Sequence, residues 1–112
     1  MPNSKDTTIV EHALELATLA RPLVEAVQRK DRDLASQVRR AINSIALNVA
    51  ESQGNAGGNS RVRLESALGS LYEARAGILL AIAWGYITQA AAGEVLVSLN
   101  RLGGRLFGVL RG

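Results

Sequence analysis

Between Arg61 and Trp84 the chain repeats apolar residues at steps of three, four and seven: Leu64, Leu68, Leu71, Ile78 and Ile82. That spacing predicts one long amphipathic helix with a core stripe. The other side is not the charged surface that water favours. It carries Ser66, Gly69, Ser70, Glu73 and Gly77, then Leu80 and Trp84. Small residues let another backbone come close, so this helix is expected to pack twice: once inside its own subunit and once against something else. The competing account of the second side is a tight contact with another helix of the same chain.

The rest of the sequence supplies three more helices. A flexible lead-in over residues 1–8 ends in a cap, Thr7 or Thr8. The first helix follows from Ile9 to about Arg29, with Ile9, Leu16, Ala20, Leu23 and Val27 on one face. Pro22 lies inside it and removes the hydrogen bond to the Thr18 carbonyl, which predicts a kink or a break near Thr18 to Arg21. Asp31 or Asp33 caps the second helix, which runs to about Gln53. Its apolar face is Leu34, Val38, Ala41, Ile42, Ile45 and Val49. A polar row of Gln37, Arg40, Ser44, Asn48 and Glu51 runs along its other side, with Asn48 at the edge of the apolar face.

Gly54 to Ser60 is a glycine-rich loop, with Asn59 or Ser60 as the next cap. It has no lysine in the nucleotide-binding pattern and no preceding strand, so it is not read as a phosphate cradle. The Arg61 helix ends near Gly85, Tyr86 and Ile87. Thr88 caps a fourth helix to about Leu110, with Val95, Leu99, Leu102, Leu106 and Val109 as its stripe and several glycines that weaken it. Four amphipathic helices joined by short turns predict an all-α, antiparallel up-down four-helix bundle, a single domain over residues 9–112.

The composition narrows the chemistry. There is no cysteine, so thiolate catalysis and cysteine metal sites are excluded, and a reducing cytoplasm is the expected compartment. No secretory signal is read at the start, and the uncharged run from Ala76 to Gly93 is broken by a turn signal, so no membrane span is expected. His12 is the only histidine, and beside Glu11 and Glu15 it is expected on the surface. Di-iron bundles need a Glu-x-x-His pair on each of two helices, and the chain has none. Glu51 and Glu73 fall where helices two and three, or two subunits, meet. They lack an accompanying nucleophile or base, so each is expected to accept hydrogen bonds and not to catalyse. Arg75 falls within the apolar stripe and needs a partner, for which Glu51 or a neighbouring subunit's carboxylate is expected. No enzyme activity, cofactor, metal or small-molecule substrate is anticipated.

The formal net charge is +3. Every basic residue except Lys5 lies at or after Arg21, and all of those but Lys30 are arginine. The guanidinium fork can bond two phosphate oxygens at once. Lys30 and Arg32 mark one end of the bundle, Arg39 and Arg40 follow, and Arg61 and Arg63 begin helix three at the other end. These six are the candidate contacts to RNA or DNA, and an ordinary solvated surface is the alternative reading. Trp84, Tyr72, Tyr86 and Phe107 are read as packing residues, so no stacking platform for single strands is expected.

Two stretches carry a resemblance. Leu34-Ala35-Ser36-Gln37-Val38-Arg39-Arg40-Ala41 leads through Ser44 and Ile45 to Asn48-Val49-Ala50-Glu51. Later come Ala67-Leu68-Gly69-Ser70-Leu71-Tyr72-Glu73 and Gly85-Tyr86-Ile87. This resembles the four-helix-bundle family encoded in intervening sequences of bacterial large-subunit ribosomal RNA genes, to which accessory proteins of diversity-generating retroelements are similar. The resemblance implies a homopentamer with a basic surface. It also implies partnership with nucleic acid and a polymerase-type protein, and no enzymatic activity. The chain departs from the family pattern at Ser52, where glycine is usual, and near Asn55, where a basic residue is usual. It departs again at Ala46, often proline, and near Arg63, often aromatic.

The sequence thus points to a non-enzymatic homo-oligomeric scaffold that binds nucleic acid by charge and shape. In that reading Asn48, Glu51, Gly69, Ser70, Glu73, Arg75, Gly77 and Trp84 form its structural motif and interface. A protein-interaction module without a nucleic-acid role is the alternative, and a small hydrolase is third.

Overall fold

The computed structural model describes residues 7–54 and 58–112, and four helices account for nearly all of them: α1 (Ile9–Gln28), α2 (Arg32–Gly54), α3 (Gly58–Ala83) and α4 (Gln89–Arg111). Each helix packs against the next, and α4 closes back on α1. Three long-range bonds fix the directions. Arg105 near the end of α4 meets His12 near the start of α1. Arg61 at the start of α3 meets Leu110 at the end of α4. Tyr86 after α3 meets Asp31 before α2. The result is an up-down four-helix bundle, with no strand among the described residues.

The helix boundaries follow local chemistry. Thr8 caps α1 in a reciprocal box: its Oγ1 accepts from Glu11 N at 3.0 Å, and its own N–H donates to Glu11 Oε1 at 3.0 Å. Pro22 does not break α1, which is continuous through it. Asp31 is the cap of α2, its Oδ1 accepting from Leu34 N at 2.9 Å. Thr88 caps α4 by accepting from Ala91 N at 3.0 Å. At the end of α3, Gly85 has φ +77°, a left-handed conformation that side chains rarely adopt. From there Gly85 N donates to Ile82 O and Tyr86 N to Ala81 O, both at 2.9 Å, which satisfies carbonyls that the helix end leaves open. The glycine-rich connection is shorter than its sequence suggests, because α2 includes Gly54 and α3 begins at Gly58. Residues 55–57, the centre of that expected loop, and residues 1–6 of the expected lead-in lie outside the described residues.

The core is aliphatic. Leu16, Ile45, Val49, Leu71, Val95, Leu99, Leu102 and Leu106 are fully enclosed. Burial of one such side chain is worth about 1.5–3 kcal/mol. The expected face of α2 is buried throughout. On α4, Val95, Leu99, Leu102 and Leu106 are buried, but Val109 near the helix end is exposed. On α3 the buried centre is displaced from the leucine stripe: Ala67, Ala74 and Ala81, at steps of seven, are fully enclosed, while Leu68 and Ile82 are half-buried.

Candidate protein and nucleic-acid interfaces

The second side of α3 divides in two. Ser70 and Gly77 face α2 of the same subunit, so the expected contact with something outside is corrected at these two positions. Ser70 Oγ and Ser44 Oγ share a hydrogen bond of 2.7 Å. Asn48 extends the polar thread by donating from Nδ2 to Ser44 O at 2.9 Å and to Ser44 Oγ at 3.1 Å. Asn48 is half-buried, as its place at the edge of the apolar face suggests. Two turns along α3, a Cβ on Gly77 would lie 2.6 Å from Val38 Cγ2. Val38 is β-branched and held in a helix, so it has little freedom to move aside. Glycine at 77 is what allows α2 and α3 to touch here.

The remaining residues of that side face outward. Ser66, Gly69, Glu73, Leu80 and Trp84 are exposed, Trp84 by 68% and Leu80 by 50%. Val62, Tyr72 and Leu79 are exposed on the same helix. Tyr72 and Trp84, read from sequence as packing residues, are therefore not packed within the subunit, and Phe107 on α4 is also half exposed. Tyr86 alone of the four rings is tucked in, its hydroxyl donating to Asp31 Oδ2 at 3.1 Å. Phe107 carries the Arg111 guanidinium over its face at 5.5 Å. A helix that is apolar or small around most of its circumference is suited to burial on both sides.

Arg75 corrects another expectation. It is exposed, and its Nε donates to Asn100 Oδ1 on α4 at 3.1 Å. Glu51 pairs instead with Arg63, whose Nη1 lies 3.3 Å from its Oε2 between the end of α2 and the start of α3. Both members of that pair are about half exposed, so the pair contributes at most about 1 kcal/mol. Glu51 and Glu73 do not converge on a nucleophile: Glu51 is engaged with Arg63 and Glu73 faces outward.

The six candidate phosphate-binding residues are all exposed but differently employed. Arg61 donates from Nη1 to Leu110 O at 2.9 Å, where it covers a terminal carbonyl of α4, and lies 3.9 Å from Glu65. Arg63 is held by Glu51. Arg39 donates from Nη2 to Gln28 Oε1 at 2.8 Å. Lys30, Arg32 and Arg40, with Arg29 beside them, make no side-chain bond to the described residues. They lie toward the end of the bundle where Asp31 and Tyr86 join the two turns, the end at which Trp84 is also exposed.

His12 is not a surface residue. It is 4% exposed, inside the seam between α1 and α4. Arg105 Nη1 lies 3.1 Å from His12 Nδ1, and Arg105 Nη2 donates to Thr7 O at 2.5 Å. Burial, then the positive charge of Arg105, holds the His12 pKa below its ordinary value, outweighing the pull of Glu15. Sequence reasoning missed this site because Arg105 is far away in the chain and His12 sits at the flank of the α1 stripe.

The model for the 23S rRNA-intervening sequence protein family matches residues 5–108 of the chain. No curated protein matches the sequence. Among solved structures, the chain is similar to a protein of unknown function from the S23 ribosomal protein family of Bacteroides thetaiotaomicron VPI-5482. The two are 18% identical, with a TM-score of 0.86 over 94% of this chain and 100% of the other. At that identity the likeness establishes the shared fold.

Proposed function

The chain belongs to the 23S rRNA-intervening sequence protein family, and for this member we propose a non-enzymatic homo-oligomeric scaffold that binds RNA or DNA through charge and shape. The observation that carries this reading is the outward side of α3. Val62, Gly69, Tyr72, Leu80 and Trp84 expose an apolar, small-residue surface that no other helix of the subunit covers. A second copy of the chain, in a ring of the pentameric kind that the family resemblance implies, is the occupant we assign to it.

The nucleic-acid half of the proposal rests on Arg29, Lys30, Arg32 and Arg40. They make no ion pair with a carboxylate among the described residues, they lie toward one end of the bundle, and a ring would repeat them in every subunit. Repetition turns weak phosphate contacts into useful avidity. The test is a native mass measurement together with binding of labelled RNA and DNA at salt rising from about 50 mM to about 200 mM. A defined multimer that binds at low salt and releases at high salt supports the scaffold. A multimer that binds neither polymer favours the interaction-module alternative, and a monomer overturns the assembly.

A further inference from the structure

We propose that His12, Arg105 and Thr7 form a pH-sensitive latch, closed while the imidazole is neutral and opened when it takes a proton. The geometry dictates the direction. Arg105 can only donate, so the 3.1 Å contact from its Nη1 requires an unprotonated Nδ1 on His12. The ring's one proton in the neutral form is then on Nε2. This arrangement fixes the neutral tautomer and leaves one place for an incoming proton: Nδ1, directly opposite the guanidinium.

Protonation there turns an acceptor into a donor and sets two cations face to face beside a nearly buried ring. Arg105 is half-buried and leaves by rotating outward. Its second bond, to the Thr7 carbonyl, breaks in the same motion. The Thr8–Glu11 capping box survives, because it is local to α1. What is lost is the Arg105 tie between the Thr7 carbonyl and α4, and not either helix.

Charged groups reach the ring from both elements. On α1, Glu15 favours the proton, while Glu11 is turned to Thr8. On α4, Arg101 and Arg105 oppose it, and Glu94 lies along the same groove of about 430 Å³ together with Glu15 and Ser98. Burial acts with the two arginines, so the latch stays shut at neutral pH and opens on the acid side of an ordinary histidine.

The test is nuclear magnetic resonance of the full chain between about pH 8 and about pH 5, a window that spans histidine titration. The Arg105 Nε–H and Thr8 amide signals are expected to shift with the same midpoint as the His12 ring, while the helical circular dichroism stays constant. In His12→Gln, whose amide oxygen can still accept from Arg105 but cannot titrate, both signals are expected to be flat across the range. Should His12→Gln fail to fold, Arg105→Gln supplies the second reading: loss of the neighbouring cation raises the His12 midpoint. Arg105 or Thr8 signals that ignore the His12 titration, persistence of the shift in His12→Gln, or an unmoved midpoint in Arg105→Gln each overturn the latch.

Discussion

Tyr86 and Asp31 join the two turns at one end of the bundle through a hydrogen bond of 3.1 Å from phenol to carboxylate. The other oxygen of the same carboxylate caps α2. One side chain therefore begins α2 and also anchors the chain as it leaves α3. Tyr86→Phe removes the first link and keeps the second. We expect a loss of about 1 kcal/mol in urea unfolding, with the helix content unchanged. Asp31→Ala removes both and should cost more than Tyr86→Phe.

The same pair sets an alkaline limit. Burial, then the bond to Asp31, raises the Tyr86 pKa above its ordinary value. The folded chain therefore keeps a proton that the unfolded chain releases. That contribution is complete below about pH 10 and disappears as the pH climbs through the folded value. The stability of the parent chain should fall more steeply above pH ~10 than that of Tyr86→Phe, measured by denaturant midpoints across a pH series.

Glycines at 77 and 69 should respond in opposite ways to alanine. At 77 the added methyl meets Val38 at 2.6 Å. Overpacking of that kind costs about 1–3 kcal/mol and outweighs a gain in helix propensity of at most about 1 kcal/mol. At 69 nothing lies within 4 Å, so Gly69→Ala should stabilise the isolated subunit by up to about 1 kcal/mol. If a second copy approaches this face closely, the same substitution weakens assembly. Thermal unfolding and sedimentation on both variants check the pair.

Ser44 and Ser70 should couple energetically. Each single alanine substitution leaves one half-buried hydroxyl without its 2.7 Å partner, while the double variant leaves none. A double-mutant cycle is expected to show the double variant less destabilised than the sum of the singles, by about 0.5–1 kcal/mol.

The two ends of the bundle should differ toward nucleic acid. Replacing Lys30, Arg32 and Arg40 by glutamine is expected to flatten the dependence of binding on salt. The logarithmic slope should fall by roughly one unit for each phosphate that a subunit no longer neutralises. Replacing Arg61 and Arg63 removes cations already committed to Leu110 and Glu51. That change should alter thermal stability more than binding. Equal effects from the two sets would argue against the assignment of the binding surface.

Most of the fold is legible in the sequence because it is periodic. The α2 face from Leu34 to Val49 is buried throughout, the caps at Thr8, Asp31 and Thr88 are side chains of the types that caps require, and the family follows from motifs within two helices. The site is less legible because its contacts join residues that no period relates. A place in the apolar stripe suggests Glu51 as the partner of Arg75, but Asn100 lies nearer in space. Trp84 falls on the second side of α3 by spacing alone, whereas Tyr72, read from sequence as a packing residue, is shown to miss the core only by the path of α3. The buried alanines at 67, 74 and 81 are easily overlooked in the sequence beside the larger leucines that mark the stripe.

The contact between Gly77 and Val38 is a mechanical stop. Sliding α3 along α2 by a turn would bring Glu73 or Ala81 over the valine, and each carries a side chain that the gap cannot accept. The contact therefore sets the register of α3 on α2 and resists any slip along their shared length, while the opposite seam of the bundle is fastened by a single long side chain, Arg105, reaching from the last helix to the start of the first.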